Sequence, residues 1–129
     1  MTDAQDVTSP MIPRLALTLG EPAGIGPDLL VMLAQSGWPA ELVAVTDASL
    51  LTRAAQRLNL PLLIIPHDAA VPAKAHVPGT LRVAHVPLAC EEAPGQLDVS
   101  NARAVLATLD RACDGCLSGE FAAMITAPV

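Results

Sequence analysis

Thr18-Leu19-Gly20-Glu21-Pro22-Ala23-Gly24-Ile25-Gly26-Pro27-Asp28 is the stretch whose reading decides the fold. The apolar run before it, Arg14 to Leu19, is too short for a helix and suits a buried strand. Gly20 to Gly26 reads as a loop. Pro27 marks a helix start, because its missing N–H would lack an intrahelical partner in the first turn anyway. Leu29, Leu30, Leu33 and Ala34 then recur at helical spacing. Gly24 and Gly26 allow close backbone approach, and a helix start directs free N–H groups into the loop, where a carboxylate, phosphate or cofactor edge could sit. Two features depart from a dinucleotide fingerprint. Leu29 stands where a third glycine belongs, and Asp28 favours the helix dipole while repelling a pyrophosphate. The loop therefore reads either as a ligand turn or as a structural turn.

Gly37 and Pro39 stop this first helix. Leu42 to Thr46 is a second strand, and Asp47 can cap a helix from Ala48 to about Leu58 with a core stripe of Leu50, Leu51, Ala54, Ala55 and Leu58. Leu62 to Ile65 reads as a third strand between prolines. The Pro-rich stretch to about Gly79 reads as a loop or meander, and Leu81 to Val86 as a fourth strand whose direction the pattern leaves open. From about Leu97 to Leu117, Val99, Ala102, Val105, Leu106, Leu109, Ala112, Cys113 and Cys116 follow helical spacing, closed by Gly119. Ala122 to Thr126 forms a last strand. Strands alternating with helices predict an α/β sheet, buried on both faces, joined mostly by right-handed crossovers. Chemistry in such folds lies beyond the carboxyl ends of the strands. Residues 1–13 read as a disordered polar tail and residues 14–129 as the folded part.

The 129 residues suffice for one modest domain and not two. A hydrophobic fraction of 52% excludes a disordered acidic chain, and no apolar run is long enough to span a membrane. Thirteen acidic residues against seven basic ones, a single lysine (Lys74), one Phe, one Trp and no Tyr argue against nucleic acid, which needs clustered cations or stacking platforms. Asp3 and Asp6 stand where a signal peptide would need basic and then apolar residues, so a cytoplasmic location is expected.

Other candidates are individually weak. Asp47 falls about twenty residues past the glycines, where a dinucleotide fold keeps its ribose-binding acid; its competing role is the helix cap. Cys113-Asp114-Gly115-Cys116 is a CxxC near a helix C-terminus, the wrong end for stabilising a thiolate, and has no second pair to build a zinc site. His67, His76 and His85 share no metal-ligand spacing, so no metal ligand is assigned to them. Glu91-Glu92 reads as a solvated turn. Taken alone, these residues leave a small nucleotide-binding or regulatory module using Gly24, Gly26 and Asp47 as one reading, and a thiol-redox domain centred on Cys113 and Cys116 as a weaker one.

Leu17 to Asp28 resembles the amino-terminal signature of the 4-hydroxythreonine-4-phosphate dehydrogenase family. Asp47-Ala48-Ser49-Leu50-Leu51 and the stretch from Ala112 through Gly119-Glu120-Phe121 to Thr126-Ala127-Pro128-Val129 are similar to the same family. The likeness runs from about Arg14 to the final residue. The loop is also a looser relative of the Gly-Asp-Gly-Ile-Gly-Pro-Glu turn of isocitrate and isopropylmalate dehydrogenases. The resemblance implies an isocitrate/isopropylmalate-dehydrogenase-like three-layer αβα fold, incomplete in this chain, and a homodimer when full length. It also implies oxidation and decarboxylation of 4-phosphonooxy-threonine, a small phosphorylated hydroxy-amino acid, with NAD and a divalent metal (Zn, Mg or Co), in pyridoxal 5′-phosphate (vitamin B6) biosynthesis. Glu21, Gly24, Ile25 and Gly26 would border the nicotinamide side. The catalytic residues and the metal-binding histidines are expected in sequence beyond Val129, which makes the chain by itself an inactive amino-terminal piece.

Overall fold

A computed structural model describes residues 11–128, so most of the polar tail expected over 1–13 lies outside the described residues. The elements are β1 (Arg14–Thr18), α1 (Gly26–Leu33), β2 (Glu41–Thr46), α2 (Ala48–Leu58), β3 (Leu63–Pro66), β4 (Thr80–His85), α3 (Ala102–Ser118, entered through a 3-10 turn at Val99–Asn101) and β5 (Ala123–Thr126). They build one five-stranded sheet in the order β3-β4-β2-β1-β5. Every pairing is parallel, including both made by β4. The fourth strand can run parallel without a crossover helix because the long meander from His67 to Gly79 carries the chain back to the sheet's amino edge.

Alternation along the strands sorts the core into two layers. Leu17, Leu42, Ala44, Leu81 and Val83 meet Leu30 and Val31 of α1 and Leu50, Leu51, Ala54 and Ala55 of α2 on one face. Ala16, Val43, Val45 and Ala84 meet Ala112 of α3 and Phe121 on the other. Helices thus cover both faces, giving the α/β layering expected from the sequence. β2 is buried along its whole length, whereas the edge strands β3 and β5 are largely open. Burial on both faces therefore holds for the centre of the sheet and fails at its edges, which lack a second neighbour among the described residues.

Helix α2 occupies the span read from the sequence, with Asp47 as its cap: the carboxylate accepts the Ser49 N–H at 3.0 Å. Helix α3 departs from expectation. It begins at Ala102 rather than near Leu97, and its buried face is Ala104, Val105, Thr108, Ala112 and Gly115. Val99, Leu106 and Leu117 point outward, and Cys113 is exposed. The physical reason is close approach. Small residues let the helix lie tightly on the sheet, and the Phe121 ring fills the space a Cβ on Gly115 would need. Burying Phe121 contributes about 2–3 kcal/mol.

Candidate functional site

β1 sits inside the sheet, flanked by β2 and β5. The chain leaves β1 through α1 on one face and reaches β5 through α3 on the other, so the carboxyl ends of β1 and β5 form a topological switch point, the place where open α/β sheets hold ligands. The loop of residues 20–26 follows β1, and Ala127-Pro128 follows β5. The two are bonded side by side: Glu21 N–H donates to Pro128 O at 3.2 Å and Ala127 N–H to Thr18 O at 2.9 Å. The Thr18 hydroxyl, at the end of β1, is buried and has no partner among the described residues.

The glycines are explained first by this packing. A Cβ on Gly26 would overlap the Leu19 carbonyl and crowd Ala127, and one on Gly20 would overlap the Pro128 carbonyl. Both let the first and last motifs touch. Gly24 is less confined, since the nearest atoms to a Cβ there belong to Glu21. Gly24 N–H donates to Glu21 O at 2.9 Å, and the Glu21 carboxylate accepts the Ala23 N–H at 3.2 Å, which folds the loop on itself. Ile25 projects outward with 61% of its surface exposed. An edge contact with a flat cofactor therefore has Glu21, Gly24 and Ile25 available, with Gly26 behind them. Asp28 pairs with Arg57 of α2 at 2.7 Å, so its charge is partly neutralised rather than directed at the loop. Beside the crevice runs an apolar groove of about 300 Å³ lined by Leu17, Leu29, Leu30, Leu33 and Ile125 among others.

Asp47 is engaged within the chain. One oxygen accepts from Ser49, the other takes the Leu88 N–H at 2.9 Å, and the neighbouring Ala48 N–H donates to His85 Nδ1 at 3.2 Å. Burial opposes ionisation of Asp47, but these hydrogen bonds outweigh it and hold its pKa below the usual value. The geometry is that of a cap tying α2 to the loop after β4.

The three histidines are separated, and each has its own partner: His67 Nε2 with Glu120, His76 Nε2 with the Ala34 carbonyl, and His85 Nδ1 with Ala48. Among the described residues no group of three His, Cys, Asp or Glu side chains could hold a metal ion. The residues present do not fit the divalent metal that the resemblance implies. Cys90, Cys113 and Cys116 are free thiols; Cys90 Sγ lies 3.0 Å from Asp98 Oδ2 and 3.1 Å from the Ser100 hydroxyl. The bonds from Cys90 and Ser100 hold Asp98 down to about 2.

Two acidic residues are engaged in ion pairs that the sequence reading did not find. Glu92 is buried and paired with Arg53 of α2, contrary to the solvated turn expected for Glu91-Glu92. Burial opposes its ionisation, and the Arg53 bonds more than compensate. Glu120 receives Arg111 in a forked pair at 2.7 and 2.8 Å and His67 at 2.7 Å. Arg111, with His67 assisting against burial, holds Glu120 down to about 2. Only Glu120 carried a signal, through its place in the last family-like stretch. His67 is distant in sequence, and Arg111 lies off the apolar stripe read for α3. No helix among the described residues is long and apolar enough to cross a membrane.

A family model described as pyridoxal phosphate biosynthetic protein PdxA matches residues 38–129. The chain is 54% identical over 118 residues to a 4-hydroxythreonine-4-phosphate dehydrogenase of Citrobacter koseri, covering 92% of this chain and 36% of that protein. Among solved structures it is similar to a 4-hydroxythreonine-4-phosphate dehydrogenase from Burkholderia phymatum, with a TM-score of 0.75 at 25% identity over 91% of this chain and 36% of that one. The enzyme of the same name from Klebsiella pneumoniae gives a TM-score of 0.73 at 31% identity, over 90% of this chain and 37% of that one. The chain thus spans little more than a third of the length of these relatives.

Proposed function

We propose, from the premise that the chain belongs to the PdxA family of pyridoxal phosphate biosynthetic proteins, that it forms the amino-terminal part of a dehydrogenase acting on 4-phosphonooxy-threonine. The reaction is NAD-dependent oxidation of the secondary hydroxyl followed by loss of carbon dioxide. One observation carries this reading: the first and last family-like motifs, about a hundred residues apart, meet at the carboxyl ends of β1 and β5, where this class of sheet holds its ligands.

In this reading Glu21, Gly24, Ile25 and Gly26 border the nicotinamide side of NAD. Gly24 supports it by leaving backbone accessible beside the exposed Ile25, and the pairing of Asp28 with Arg57 supports it by reducing repulsion of an anionic cofactor. A divalent metal, when bound, would supply Lewis-acid polarisation of the substrate hydroxyl. The described residues offer no ligand set for it. The active species is a homodimer of the full-length protein, located in the cytoplasm.

The test is an absorbance assay for NADH with 4-phosphonooxy-threonine, NAD and Zn, Mg or Co. The natural polypeptide carrying this sequence, with its mass measured beforehand, should turn over, and the purified 129-residue chain should not. A natural polypeptide inert under every metal condition overturns the enzyme reading. Robust NADH production by the 129-residue chain overturns the proposal that the chemistry needs further sequence.

A further inference from the structure

The turn between α3 and β5 carries a side-chain cluster that the proposed function does not use. Glu120 receives the forked pair from Arg111 of α3 and, on Oε2, His67 from the end of β3. Phe121 lies between them: the Arg111 guanidinium is 5.4 Å from its ring centre and the His67 ring 5.6 Å away. The His67 side chain is 4% exposed, and its Nδ1 is buried with no partner among the described residues. Leaving a ring nitrogen unpaired inside a protein is costly. The bond from Nε2 to Glu120 and the packing on Phe121 are what offset it.

The cluster ties together segments that the sheet separates. His67 directly follows one edge strand, β3, whereas Glu120 leads into the other edge strand, β5. β5 has four residues and one neighbour, β1, so its ladder alone restrains it weakly. Its start is pinned by the Ala122 N–H on the Arg14 carbonyl and by the burial of Phe121. Its far end makes the Ala127 and Pro128 contacts that close the crevice.

We propose that His67, Glu120 and Arg111 form a clasp that fixes the start of β5 and thereby holds the carboxyl-end crevice in register. His67 is a positioning residue that acts through Glu120 and Phe121, without contact to any ligand. The proposal is independent of which cofactor or substrate the crevice takes.

Amide hydrogen exchange in the natural polypeptide carrying this sequence tests it. The reporting amides are Ala127, bonded to Thr18, and Glu21, bonded to Pro128, with amides inside α2 as the control. Glu120→Ala should accelerate both reporters by about tenfold, and His67→Phe, which keeps a ring against Phe121, by at least about threefold; α2 should stay within about twofold. His67→Gln retains a donor for Glu120 and should bring the reporters back toward the parent rate. If Glu120→Ala does not fold, the His67 pair decides. Equal acceleration throughout the chain, unchanged reporters, or His67→Gln behaving like His67→Phe overturns the proposal.

Discussion

Gly26 shows how a residue that reads as a ligand contact can be required first by the fold. Its missing Cβ makes room for the Leu19 carbonyl and Ala127, so Gly26→Ala should destabilise the chain by about 1–3 kcal/mol through overpacking. A denaturation midpoint unchanged from the parent would count against that account. Glu120 makes a prediction about acid. The Arg111 fork, with His67 assisting, holds its carboxyl down to about 2, below the ordinary glutamate range near 4.5. The stabilisation is therefore complete above the unfolded pKa and is lost as pH falls from about 4.5 through about 2. A shift of this size corresponds to on the order of 3 kcal/mol at most, and solvent at the 37%-exposed Arg111 reduces it to about 1–2 kcal/mol. Urea midpoints measured between pH 6 and pH 2.5 should fall more steeply for the parent than for Glu120→Gln. Glycine spacing and the last motif were legible in the sequence; the partners of Glu120 were not, because His67 stands 53 residues away.

At the scale of elements, the cap of α2 was legible because it is local: Asp47 reaches Ser49, two residues on. Its second bond, to Leu88, is 41 residues distant and was not. Asp47→Ala should cost about 1 kcal/mol for the cap and more for the Leu88 N–H left without its acceptor, whereas Asp47→Asn should recover much of the loss. Thermal melts of the two variants compare these directly. Helix α3 illustrates the opposite case. Periodicity found the helix and part of its buried side: Val105 and Ala112 of the expected stripe are buried, whereas Leu106 and Cys113 are exposed and Ala104, Thr108 and Gly115 take their place. Proximity to Phe121 decided the difference. Leu106→Glu should accordingly change stability by no more than about 0.5 kcal/mol, while Ala112→Leu should cost about 1–3 kcal/mol. A large loss for Leu106→Glu in chemical denaturation would reverse the assignment of faces.

For the whole molecule, the open edge at β5 and the groove along Leu17, Leu29, Leu33 and Ile125 leave apolar surface beside unpaired strand backbone. Such surfaces associate. The 129-residue chain should show a concentration-dependent mass in sedimentation, and Ile125→Lys should lower it; a strictly monomeric parent at high concentration would contradict this. Alternating strands and helices, the Gly-rich turn, the Asp47 cap and the family to which the chain belongs were all determined by the sequence itself, because each rests on contacts within a few residues or on a short ordered motif. Sheet order, the direction of β4, the buried face of α3, the pairing of Glu92 with Arg53 and the His67–Glu120–Arg111 cluster were decided only by tertiary structure. Each depends on which distant segments share a layer, and an apolar period or a lone charge is compatible with several partners until packing selects one.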